Sequence, residues 1–107
     1  MRGAILEEER TLTKNVDEAK EPRQKDEAIC RLALFYVNRA HNQQQARALA
    51  VAIHNPLKRL GILLASCDSD KTLSPKDRLL YYNELLSKYP EQQALLTKVI
   101  DIKRREL

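Results

Sequence analysis

The densest run of reactive side chains is Asp68-Ser69-Asp70-Lys71-Thr72, directly after the apolar run Ile62 to Cys67. Two aspartates one residue apart after an apolar run are a pattern suited to phosphoryl transfer. One carboxylate attacks phosphorus and the other manages the leaving-group proton. That chemistry needs a parallel strand, Mg²⁺ and further acids downstream. The chain supplies no second strand and is too short for such a sheet, so the run reads as a solvated acidic loop. As a calcium loop it fails as well: Leu73 stands where the sharp turn requires glycine, and Leu79 where the bidentate glutamate belongs.

Arg47 and His54 are seven residues apart. On one continuous helix they share a face, a pair that could act on an RNA phosphate. The plainer reading is an exposed arginine and a histidine at a helix end, and His41 beside Asn42 reads the same way. Cys30, Cys67, His41 and His54 lack the close ligand pairing of a structural zinc site. No catalytic residue, metal or cofactor is therefore expected, and the chain is read as a non-enzyme.

Binding is the remaining class. Ile5, Leu12 and Val16 form a narrow apolar seam on a charged segment, too thin for a core helix but adequate for pairing. Tyr81 and Tyr82 adjoin, so both rings cannot face one core, and tyrosine is enriched at interfaces. These five residues are the expected partner-binding positions for another protein, and residues 4–20 could also pair in a homodimer. The rival reading is a nucleic-acid-binding regulator using Arg31, Arg39, Arg47, Lys58, Arg59, Lys98, Lys103, Arg104 and Arg105. Against it, the expected third helix is alanine-rich and aliphatic rather than base-reading, and five aromatics serve the whole chain.

The elements that must position these groups are helices. Glycine occurs only twice in 107 residues, whereas sheets need frequent turns. Pro22, Pro56, Pro75 and Pro90 suit first helical turns, where the missing N–H has no partner to lose. Asn55 and Ser74 are good N-caps, and Asn42 with Gln45 reads as a capping box. Helices are predicted over 4–20, 22–41, 43–54, 56–67, 75–88 and 90–106, with a loop over 68–74. The third, apolar on nearly every side through Ala48, Val51 and Ala52, is expected at the centre. Gly61 suggests close packing within the fourth, in preference to capping a shorter one.

These readings give an all-α fold, an irregular bundle of five to six short helices in a single domain. Residues 1–21 are the charged amphipathic N-terminal helix, peripheral or dimer-forming, and residues 22–107 the bundle core. The net charge of +4 is uneven: residues 1–27 carry six basic and eight acidic side chains, and the remainder carries +6. MRGAILEEER lacks the order of a signal peptide, and no apolar run approaches the ~20 residues that span a bilayer. Two cysteines suggest free thiols and a cytoplasmic location rather than a secreted framework. The expected function is a protein-protein interaction module, an adaptor, inhibitor or regulator of a partner.

Overall fold

A computed structural model describes residues 2–105. The fold is all-α: among the described residues there are six α-helices, one 3₁₀ turn and no strand. They are α1 (Arg2–Glu18), α2 (Pro22–Asn38), α3 (Gln43–Ala50), α4 (Pro56–Asp68), α5 (Pro75–Lys88) and α6 (Gln93–Arg105), the last preceded by the 3₁₀ turn Pro90–Gln92. Residue 106, the expected end of the last helix, lies outside the described residues. No described helix is long and apolar enough to cross a membrane. The chain divides into two compact units, residues 1–66 and 67–107.

In the first unit α2 is the organising element, packed against both α1 and α3. Ile29, Ala33 and Val37 of α2 join Ala46 and Ala50 of α3, Ile53 and Ile62 in one core cluster. Each large aliphatic buried there contributes roughly 1.5–3 kcal/mol. Phe35 is buried too, its ring edge-on to Tyr36 at 5.4 Å. Helix α2 ends where His41 takes a left-handed φ of 51°, a conformation in which histidine is over-represented among non-glycine residues. The Asn42 N–H then turns back to the Tyr36 carbonyl at 2.8 Å.

Helix α3 departs from expectation. It is only eight residues long, and Ala48, Ala52 and Val51 (76% exposed) face solvent, so the centre belongs to α2. The reason is a competitor for its backbone. Continuing α3 would require the His54 N–H to bond the Ala50 carbonyl, but that N–H donates instead to the Asp26 carboxylate of α2. The chain tightens through Ala52–Leu49 and Ile53–Ala50 bonds, drops Ile53 into the core, and restarts at Asn55.

Helix α4 is continuous through Gly61, where a built Cβ would meet nothing within 4 Å. The expected close packing at Gly61 is therefore absent. Its last two residues, Cys67 and Asp68, belong to the second unit. There α5 and α6 pack together, burying Tyr82, Leu85, Leu96 and Ile100. The Ser74 hydroxyl caps α5 by accepting from the Asp77 N–H, and Asp77 sits in that first turn, where the helix dipole favours a carboxylate.

Candidate functional site

Three places gather polar side chains. The first is the α3–α4 connection. Asp26, 4% exposed, accepts from the His54 N–H at 2.9 Å and the Asn55 N–H at 3.0 Å, and His54 Nδ1 lies 3.2 Å from the same carboxylate. Burial pushes the Asp26 carboxyl up, but the bonds from His54 and Asn55 outweigh it and hold it below its ordinary value. Arg59 grips the other side of the same backbone, donating from Nε (3.0 Å) and Nη2 (2.7 Å) to the Ile53 carbonyl. Asn55 completes the connection by accepting from the Leu57 and Lys58 N–H groups.

This geometry explains His54 and Arg59 structurally. Because α3 stops at Ala50, Arg47 and His54 do not lie on one continuous helix, and His54 stands in the connection after the helix, close to the plainer reading of it as a helix-end residue. Arg59, one of the phosphate-binding candidates, holds a turn closed instead. The nearby Cys30 thiol is pushed up by burial, only partly opposed by Lys58, which makes it a poor nucleophile.

The second place is the aspartate-rich loop. Asp68 accepts from the Tyr82 hydroxyl and pairs with Lys103 Nζ at 3.0 Å. Asp70 is buried rather than solvated; its side chain accepts from the Thr72 N–H at 3.0 Å, and its carbonyl accepts from Arg78 Nη2 at 2.9 Å. Both carboxylates thus close local structure. Tyr82, expected at an interface, is fully buried, and burial together with Asp68 pushes its phenol far up. It belongs to the core. Tyr81 is half-buried. Among the described residues, no group of three or more His, Cys, Asp or Glu is placed to hold a metal ion.

The third place is a groove of about 410 Å³ between α1 and α2. Leu12, Leu34 and Phe35 supply its apolar surface, with Glu8, Arg31, Asn38 and Arg39 around them. Residues 19–21 join two helices of 17 residues each, so α1 folds back along α2. Val16 packs against the core cluster, Ile5 is half-buried, and Leu6 points outward. Polar ties align the pair: Arg39 Nη2 meets Glu8 at 3.4 Å, and the Tyr36 phenol, pushed up first by burial, bonds Glu9.

Comparison with protein-family models, curated proteins and solved structures finds no match. The groove therefore has to be read from its own residues. It brings together Leu12 from one expected set and Arg31 and Arg39 from the other. Sequence reasoning missed Glu8, Leu34, Phe35 and Asn38 as lining residues. One signal was available: Leu34 is an aliphatic residue off the buried stripe of α2, three residues from Arg31 and four from Asn38, hence on one face with them.

Proposed function

We propose that this chain is a non-enzymatic protein-interaction module, an adaptor, inhibitor or regulator, that receives its partner in the α1–α2 groove. The observation that carries the reading is the groove itself. It is a concave, mainly apolar surface between two paired helices with polar groups at its edges, the usual form of a helix-binding cleft. The fate of the basic side chains supports a protein over a nucleic acid. Arg59 and Lys103 each bond an internal acceptor, which leaves a thinner set, including Arg31, Arg39, Lys58, Arg104 and Arg105, for phosphates. The free thiols of Cys30 and Cys67 suit a cytoplasmic setting. Pairing of two copies through the seam on residues 4–20 is disfavoured, because Val16 already packs against the core.

A photo-crosslinking residue at position 34, in the otherwise intact chain, tests this in lysate of the source cells. The expected result is a discrete protein adduct that disappears in Leu12→Asp and does not form from position 76 on the exposed side of α5. Equal adducts from both positions would overturn the reading. So would RNA or DNA binding that weakens steeply with salt and is lost in Arg104→Glu/Arg105→Glu, which identifies a phosphate-binding protein instead.

A further inference from the structure

Resting on the reading of the groove as a partner site, we infer that its occupant is an acidic amphipathic helix of another protein. The shape argues for a helix. Helices α1 and α2 lie antiparallel, and the stretch lined by Glu8 and Leu12 on one and Arg31 to Arg39 on the other, about 12 Å along α2, accommodates two to three turns of a third helix laid between them. The lining argues for its sequence. Leu12 and Leu34, over the buried Phe35, offer apolar contact to residues recurring at i, i+4 and i+7 of the guest.

The rim argues for its charge. Arg31 forms no ion pair among the described residues, although Glu27 stands one turn away on α2, so its guanidinium is available to an incoming carboxylate. Arg39 is tied to Glu8 only by an exposed pair, of the kind that contributes at most about 1 kcal/mol and yields readily to a competing acid. The Asn38 amide at the groove can either donate or accept. Among the lining residues two guanidiniums stand against the single carboxylate of Glu8, so a basic helix would face two arginines and an acidic one would pair with them.

The test uses the full chain and two fluorescein-labelled peptides of 14 residues, followed by fluorescence anisotropy. One peptide carries leucines at i, i+4 and i+7 flanked by glutamates; the other has lysine in place of every glutamate. Saturable binding of the acidic peptide is expected, weakened about tenfold by Arg31→Glu and at least as much by Leu34→Asp. Both positions are exposed, and unchanged thermal melts would confirm that the variants fold. Preference for the lysine peptide, still lost in Leu34→Asp, would overturn the acidic assignment and leave the groove as the partner site. Binding of neither peptide, or binding indifferent to Leu34→Asp, would overturn both.

Discussion

The two ends of α4 are each fixed by an aspartate, but the two carboxylates act on different kinds of group. At the start, Asp26 reaches from α2 to the backbone N–H groups of His54 and Asn55, 28 and 29 residues away. At the finish, Asp68 is itself the last residue of the helix and meets two side chains, the Tyr82 hydroxyl and the Lys103 ammonium. A backbone donor keeps its place whatever side chain is put there, proline excepted, so the first contact bears on where α3 stops and α4 begins. A side-chain donor can be replaced by water at a half-exposed carboxylate, so the second contact adds stability without setting the path of the chain.

The largest effect is therefore expected at Asp26. Asp26→Ala leaves two backbone N–H groups without an acceptor, at about 1–3 kcal/mol each, so chemical denaturation should reveal a loss of roughly 3 kcal/mol or more. Asp26→Asn keeps one acceptor oxygen and should lose about half as much. His54→Ala keeps the backbone donor and should cost under about 1 kcal/mol. A loss at His54 equal to that at Asp26 would mean the ring, not the backbone, carries the contact, and the contrast between the two ends would collapse.

Acid sharpens the same point. The folded Asp26 carboxyl lies below its unfolded value of about 3.9, so its contribution is complete above that pH. It disappears as pH falls through the folded value, where protonation removes an acceptor from the two N–H groups. Stability should therefore decline below about pH 4 in the parent chain and less steeply in Asp26→Asn, measured by urea unfolding across pH 2–6.

At the other end the expected losses are smaller. Tyr82→Phe keeps the buried ring and removes only the hydroxyl donor, so about 1–2 kcal/mol should be lost. Lys103→Ala acts on a carboxylate nearly half exposed, and solvent screening should hold its effect below about 1 kcal/mol. Helix α4 spans about 20 Å, so Asp26→Asn and Tyr82→Phe should add within roughly 0.5 kcal/mol in a double-mutant cycle.

The same contrast explains what the sequence reveals. Asn42, Asn55 and Ser74 are legible as caps because each serves N–H groups two or three residues away, and all three side chains cap, although the Asn42 N–H turns to the Tyr36 carbonyl instead of completing a box with Gln45. Asp26 is not legible, since nothing near it in the chain marks a backbone partner beyond α3. The over-long third helix goes with that hidden bond. Tyr82 is a different case: it falls on the helical spacing of Leu79, Leu85 and Leu86, which already points it to the core, and that stripe outweighs the expectation of an interface. The groove was legible only in pieces: Leu12, Arg31 and Arg39 are visible singly, and only the folding of α1 along α2 sets them on one surface.

Between the two ends sits Gly61, where the expected change has the opposite sign. Its φ is not positive and a Cβ there meets no atom within 4 Å, so alanine enters without strain or collision. Alanine also removes backbone freedom from the unfolded chain, and Gly61→Ala should raise stability by about 0.5–1 kcal/mol. The gain should persist undiminished in Asp26→Asn and in Tyr82→Phe if each end of α4 is fixed separately. A gain that vanishes when either carboxylate contact is removed would show that the helix transmits strain from one end to the other. The two aspartates would then be parts of a single device.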